Sequence, residues 1–394
     1  MLILRCELFA TIIEQLFRMP KTFDNPFFVA GYSGSEYFCD RVEESATLKR
    51  YLQSGNNVTL ISLRRMGKTG LIHHVFDQIR KEDPDALTVY VDLMPTDSLS
   101  SFARAFSVAL MERLDTKPAK ILKKATMFLS RVRPSLSFDP ITGDPKLSVD
   151  IAPGEETDTV EHLLDYVGSC GRRCYVAFDE FQQIAQYPEK NVEAVLRSKI
   201  QFLQNANFIF SGSNHHMLSE MFVSAKRPFY ASTAFEYIGP IASDDYYPFA
   251  AHFFQRTGRA FPERVFLDLY NRFEGHTWYI QRVLNKLYAQ SSGTLDQISV
   301  ERAVREILDE NAYYYQTLLR SYTKGQGKLL KAIAKEGKVS AVLAGGFVSK
   351  YGLNATSSVK GALKRLEEDE QVYKAPDGYI VYDRFMAEWL RKLD

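Results

Sequence analysis

Short apolar runs bounded by turn formers alternate, through about Pro240, with stretches whose apolar residues recur at helical spacing. Val58–Leu63, opened by Gly55-Asn56-Asn57, is one such run; Leu87–Leu93, Cys174–Phe178 and Phe208–Phe210 are others. Between them, Glu43–Ser54, the residues after Gly67, Ser98–Leu114, Thr159–Gly168 and Val192–Asn205 carry the helical pattern. Uninterrupted apolar runs are what strands buried on both faces require, and strands alternating with helices build a parallel sheet. The expected fold class is therefore α/β: a parallel sheet with helices on both faces.

The rhythm breaks between about residues 116 and 157. A basic helical segment from Lys120 is followed by alternating Ser135–Asp139 and Lys146–Asp150 around a Pro/Gly-rich turn, which predicts an inserted hairpin. After Pro240 the pattern is helical and rich in Phe and Tyr through about Tyr322, with Gly325 and Gly327 marking a linker. Three helices follow, Gln326–Glu336, Gly346–Tyr351 and Ala355–Asp369, and then two β-rich runs around Ala375-Pro376-Asp377-Gly378, a hairpin with an Asp-Gly turn. Three helices and a hairpin predict a winged helix, a relative of the helix-turn-helix. The organisation expected is an amphipathic segment over 1–20, an α/β core over 21–240 with the insertion at about 116–157, a helical region over 241–322 and a winged helix over 323–394.

Composition adds exclusions. The 394 residues are 45% hydrophobic and 25% charged, ordinary for a globular chain. A net charge of +1 gives no global attraction to nucleic acid or membrane. No apolar run approaches the roughly 18 residues of a membrane helix. Leu4, Leu8, Ile12, Ile13, Leu16 and Phe17 recur at helical spacing but are interrupted by Arg5, Glu7, Glu14 and Arg18. That excludes a secretory signal and predicts an amphipathic helix, unless translation starts at Met19. Cys6, Cys39, Cys170 and Cys174 read as reduced thiols of a cytoplasmic protein, with no redox role expected of the last two. His73-His74 and His215-His216 are adjacent, so each pair diverges on a helix and no zinc site is expected. Tyr313-Tyr314-Tyr315 reads as packing within the helical region.

The chemistry concentrates in Ser62-Leu63-Arg64-Arg65-Met66-Gly67-Lys68-Thr69, which matches the phosphate-loop pattern G-x-x-x-x-G-K-S/T except for Ser62. Glycine lets backbone amides close on phosphate oxygens, Lys68 places a point charge on the β- and γ-phosphates, and Thr69 offers a hydroxyl to Mg²⁺. The helix that follows turns its positive end toward the anion. The run Tyr175–Phe178 then ends in Asp179-Glu180, two carboxylates at the edge where open α/β sheets bind ligands. Asp179 would hold Mg²⁺ and Glu180 would polarise the attacking water. Phe208–Phe210 ends in Ser211-Gly212-Ser213-Asn214, which suits sensing of the γ-phosphate and equally suits a helix N-cap. Arg227, before the next strand, is a candidate guanidinium for a γ-phosphate, with a solvated basic turn as the alternative.

These residues resemble the archaeal-type family of predicted ATPases, near the AAA+ and STAND groups of P-loop NTPases. The resemblance runs from Met19 onward and rests on Asn25-Pro26-Phe27, Phe38–Glu44, the doubled Arg64-Arg65 before Met66-Gly67-Lys68-Thr69, Asp179-Glu180 and Phe210–Ser213. It implies binding of ATP, an adenine contact near Phe38 and Arg41, and phosphates at Met66, Gly67, Lys68, Thr69 and Gly70. It further implies Mg²⁺ at Thr69 and Asp179, water activation by Glu180, and a strand lying between the phosphate-loop strand and the acidic one. Three departures stand out: Ser62 replaces glycine, Gly70 replaces a serine, and Gly275-His276-Thr277-Trp278 lacks the proline of the STAND helical-lid motif.

The winged-helix region holds thirteen Lys/Arg against nine Asp/Glu from Lys324 onward. Its third helix would present Ser357, Ser358, Lys360 and Lys364 to a DNA groove, yet ends in Glu367–Glu370. Double-stranded DNA and a protein partner both stay open, as does self-association. Two functions fit: an ATPase that couples Mg-dependent ATP binding and hydrolysis to conformational change on nucleic acid, or a slowly hydrolysing regulatory switch.

Overall fold

The computed structural model describes residues 24–113, 133–138, 145–290 and 295–393. The segment expected over 1–20 and the basic segment from Lys120 to Val132 lie outside the described residues. The chain divides into two compact units, one formed by Ala30–Ile241 and one by Ala242–Asp394 together with Asn25–Val29.

The first unit runs α1 (Val42–Gln53), β1 (Val58–Ile61), α2 (Lys68–Glu82), β2 (Leu87–Asp92), α3 (Leu99–Met111), β3 (Arg133–Phe138), β4 (Pro145–Asp150), α4 (Glu156–Ser169), β5 (Cys174–Asp179), α5 (Val192–Ile200), β6 (Ala206–Gly212), α6 (His215–Val223) and β7 (Ala234–Tyr237). Five strands form a parallel sheet in the order β2-β5-β6-β1-β7. Thus β6 separates the phosphate-loop strand β1 from the acidic strand β5, as the resemblance implies. Every residue of β1 and β5 is buried. Alternate side chains serve two cores: Val176 and Phe178 join Phe102, Phe106, Phe181 and Phe210 on one face, while Tyr175 and Ala177 join Leu48, Leu71, Val75 and Phe76 on the other. Burial of the sheet on both faces explains the near-continuous apolar runs.

The insertion is the antiparallel hairpin β3–β4, with Leu136 opposite Leu147. Helix α5 ends at Ile200, short of the expected Asn205. Past that point Leu203 crowds Gly168 of α4, where an added Cβ would meet its Cδ2 at 2.6 Å. Asn205 Nδ2 donates to Val167 O at 2.9 Å and Arg172 O at 3.0 Å. Those contacts hold residues 201–205 in a turn, out of the helix, before the chain enters β6.

The second unit holds α7 (Ser243–Gln255), α8 (Glu263–Arg272), α9 (Thr277–Ala289), α10 (Gln297–Ser321), α11 (Lys324–Glu336), α12 (Gly345–Lys350), α13 (Thr356–Glu368), β8 (Val372–Ala375), β9 (Gly378–Val381) and α14 (Arg384–Arg391). Asn25–Val29 belongs here: Phe27 is buried against Phe249, Phe253, Phe254 and Tyr288. Asn285 Nδ2 donates to Phe27 O, and Trp278 Nε1 donates to Val29 O at 3.0 Å.

Four expectations change. Gly325 and Gly327 are not a linker but sit in the first turn of α11, where the Thr323–Gln326 capping box offsets their poor helix propensity. The turn of the hairpin is Pro376-Asp377, because Ala375 pairs with Gly378. Gly378 is glycine for another reason: Val339 bridges Tyr379, so an added Cβ would meet Val339 C and O at 2.6 Å, and φ is +146°. Helix α14 follows the hairpin, its start capped by Asp383 Oδ1, which accepts from the Phe385 and Met386 amides. It docks within the unit through Arg272, which donates to both Glu388 carboxylate oxygens at 2.6 Å. Finally, of the three consecutive tyrosines only Tyr315 packs, 5.6 Å from Trp389, whereas Tyr313 and Tyr314 are exposed. Among the described residues no helix is long and apolar enough to cross a membrane.

Candidate nucleotide site

The loop between β1 and α2 turns through two left-handed residues, Arg65 (φ +63°) and Gly67 (φ +99°). An added Cβ at Gly67 would meet nothing within 4 Å, so glycine is required by backbone conformation. Helix α2 starts at Lys68 and runs 15 residues. Its first-turn amides are those left unbonded at any helix start. Lys68 is 5% exposed. Its Nζ donates to Ser62 Oγ at 3.1 Å, Leu63 O at 3.4 Å and Ser62 O at 3.5 Å. Burial pushes the ammonium below its ordinary value, opposed by Glu180 and Asp179. Ser62 is not among the positive-φ residues, so its backbone needs no glycine. Its hydroxyl donates to Leu63 O at 2.7 Å while accepting from Lys68. The first departure is therefore accommodated locally. At Gly70 an added Cβ would meet Phe38 Cε2 at 3.4 Å, an ordinary van der Waals contact, so the Phe38 ring packs over this turn of the helix.

Asp179 ends β5 and is buried. Thr69 Oγ1 and Tyr90 Oη each donate to its Oδ2 at 2.7 Å. Ser211 Oγ donates to Oδ1 at 2.5 Å, and the Glu180 amide donates to Oδ1 at 3.1 Å. Glu180 itself is left-handed, with φ +54°. Its Oε2 accepts from Gln182 Nε2 at 2.6 Å, Ser213 Oγ at 2.7 Å and the Ser213 amide at 3.1 Å. Ser213 is thus bonded to the carboxylate, and the cap of α6 falls to Asn214, whose Oδ1 accepts from the Met217 amide.

Arg41 is buried and braces the loop: Nη1 pairs with Glu44 at 2.6 Å, and Nη2 donates to Gly239 O at 2.6 Å and Met66 O at 3.3 Å. Phe38 stacks 4.3 Å from His74, and His73 lies 4.5 Å from Tyr90. Burial holds both imidazoles below their ordinary value, which favours their neutral form. Arg64 is half-buried and Arg65 exposed. Arg227 stands apart from the hydrogen-bonded group just described, with Nη2 2.5 Å from Glu193 Oε1 on α5.

The site therefore gathers Lys68, Thr69, Asp179, Glu180 and Ser213, with Ser62 and Ser211 as supports. Sequence reasoning passes over Tyr90 and Gln182. A tyrosine within an apolar strand, two residues before its acidic end at Asp92, was the available signal for the first. Thr69 donates its hydroxyl hydrogen to Asp179, which leaves its oxygen able to accept or ligate; hydroxyl and carboxylate oxygens suit a hard cation. Among the described residues no group of three or more His, Cys, Asp or Glu could hold a metal ion. A cation here would need further ligands from outside the chain.

The class follows from fold and comparison. Residues 313–392 match the family described as a probable winged helix domain; the match opens inside α10. In fold the chain is similar to a Walker-type ATPase of Pyrococcus abyssi, with TM-score 0.63 and 17% identity over 93% of this chain and 99% of that one. It is similar to the ORC2 protein of Aeropyrum pernix in ADPNP–ADP complexes, with TM-score 0.56 and 18% identity over 90% and 93% of the two chains. The ORC1 protein of the same organism, solved in complex with DNA, gives TM-score 0.54 and 14% identity over 93% and 96%. No curated protein matches the chain in sequence. At these identities the likeness is one of fold: a P-loop ATPase fold with a winged helix at its carboxyl end.

Proposed function

We propose that this chain binds ATP with Mg²⁺ and hydrolyses it. The observation that carries the reading is the convergence of Thr69, Tyr90 and Ser211 on Asp179, beside a buried Lys68 and a positioned Glu180. Lys68 would exchange its contacts with Ser62 and Leu63 for phosphate oxygens, and the first-turn amides of α2 would complete the cradle. Thr69 and Asp179 would hold Mg²⁺, which when bound neutralises charge on the β- and γ-phosphates. Glu180 would orient and polarise water, and Phe38 and Arg41 would border the adenine. Arg227 would serve the γ-phosphate only by leaving Glu193.

Conformational coupling, on this reading, would run through Glu180. Using Oε2 as a base requires it to leave Ser213, and Ser213 adjoins the cap of α6. A carboxylate tied down in this way also favours the slower, switch-like version of the function. ATP turnover in Mg²⁺ against EDTA tests the reading: metal-dependent phosphate release supports it, and identical background release in both would defeat it.

For the winged helix we favour DNA. Ser357, Ser358 and Lys360 at the start of α13 are exposed, and a neighbour in fold is complexed with DNA. A protein partner is the second reading, supported by the pairing of Lys364 with Glu368 at 3.7 Å and of Arg365 with Asp369 at 2.9 Å, which engages both basic side chains of the helix's later half. Sparse free thiols fit a cytoplasmic protein.

A further inference from the structure

The turn that feeds β5 contains a second reactive constellation, at the end of the strand opposite Asp179. Cys170 caps α4 and Cys174 opens β5. Gly171, at φ +77°, folds the chain back between them. Both thiols are free, and their sulfurs lie 3.1 Å apart. They share acceptors: Val167 O lies 3.3 Å from Cys170 Sγ and 3.5 Å from Cys174 Sγ. A disulfide spans about 2.05 Å, so closure needs a movement of roughly 1 Å. Access is unequal, Cys170 being half-buried and Cys174 fully buried. Arg172, between them, keeps Nε and Nη2 buried without a hydrogen-bond partner. Hydrogen bonding from Cys174, together with the Arg172 amide and guanidinium, brings the Cys170 thiol down to about 6, while the Cys170 sulfur and burial push Cys174 up.

We propose that Cys170 and Cys174 form a peroxide-reactive dithiol, Cys170 attacking and Cys174 resolving. The Cys170 thiolate attacks a hydroperoxide oxygen, the O–O bond breaks, and Cys170 becomes a sulfenic acid as hydroxide leaves. Cys174 sulfur then attacks the Cys170 sulfur. The S–S bond forms, the S–O bond breaks, and water leaves with the Cys174 proton. Two thiols lose two electrons, and hydrogen peroxide becomes two waters once the proton released by Cys170 neutralises the hydroxide. Arg172 steadies the thiolate electrostatically. The disulfide would tie the end of α4 to the start of the strand carrying Asp179.

The test treats the intact wild-type chain with limiting hydrogen peroxide, quenches, denatures, alkylates and maps each cysteine by mass. The expected result is a peptide containing residues 170–174 that has lost two hydrogens and accepts alkylation only after dithiothreitol, while Cys39 stays alkylatable. In Cys174→Ser, Cys170 should gain one oxygen and be captured by dimedone; in Cys170→Ser, Cys174 should stay reduced over the same interval. Arg172→Ala should slow oxidation about three- to tenfold by lowering the thiolate fraction. Oxidation of Cys170 no faster than that of Cys39, or its linkage to a different cysteine, would overturn the proposal. Both readouts come from wild-type protein, so the outcome does not depend on the folding of any variant.

Discussion

Asp179 and Lys360 are both charged residues, and they live under opposite conditions. Four donors from four places in the chain fix the two oxygens of Asp179, whereas Lys360 stands exposed on α13 among serines and glycine. A buried ion lacking partners is penalised by several kcal/mol, so its surroundings are narrowly specified and point to one chemistry. A solvated ion costs almost nothing in any orientation, so its surroundings are compatible with several partners. The candidate nucleotide site consequently supports a proposal with residue roles, and the winged helix supports a shape with a choice of ligands.

Substitutions should behave as that contrast requires. The largest effect is expected from Glu180→Gln, which keeps the bonds to Ser213 within reach but removes the base: kcat should fall about 10²- to 10⁴-fold with ATP affinity held, as single-turnover and binding measurements would reveal. Equal turnover in the two proteins would remove Glu180 from the chemistry. Next, Gly378→Ala forces a Cβ onto the Val339 backbone and should destabilise the second unit by about 1–3 kcal/mol in denaturant melts, leaving ATP affinity unchanged. A matching loss of ATP affinity would break the comparison. Tyr90→Phe deletes one donor to Asp179 and should cost about 0.5–1.5 kcal/mol, seen as a two- to tenfold rise in the Mg²⁺ needed for half-maximal turnover. An unchanged Mg²⁺ midpoint would make Tyr90 packing only. Lys360→Ala should act most weakly, reducing the slope of log affinity for DNA against log salt by about one where DNA is bound. No DNA binding at low salt, in either protein, would leave the protein-partner reading.

Much of this was visible in the sequence for physical reasons. Strands buried on both faces admit few polar residues, and those they hold are hydrogen-bonded, as Thr59 is to Thr233 and Thr88 to Arg80, so β1, β2, β5 and β6 appear as mainly apolar runs. The phosphate loop is contiguous, and Asp179-Glu180 ends its strand, so Lys68, Thr69 and both acids are local signals. Tyr90 meets Asp179 from a different strand, 89 residues away, and nothing near Tyr90 encodes that register. Phe27 finds its core among helices more than 200 residues downstream, which a local pattern cannot express. Gly325 and Gly327 mislead because a capping box outweighs propensity in a first turn. Ser62 looks like a missing glycine only until its unstrained backbone is seen.

The central claim is that Lys68 and the start of α2 form a Mg-assisted phosphate cradle, and titration calorimetry of ATP into wild type and Lys68→Ala, each in Mg²⁺ and in EDTA, tests it most directly. The account predicts saturable binding by wild type in Mg²⁺, weakened by EDTA and weakened about 10- to 100-fold by the substitution. Indistinguishable isotherms for the two proteins in Mg²⁺, or no saturable heat from wild type, would contradict it.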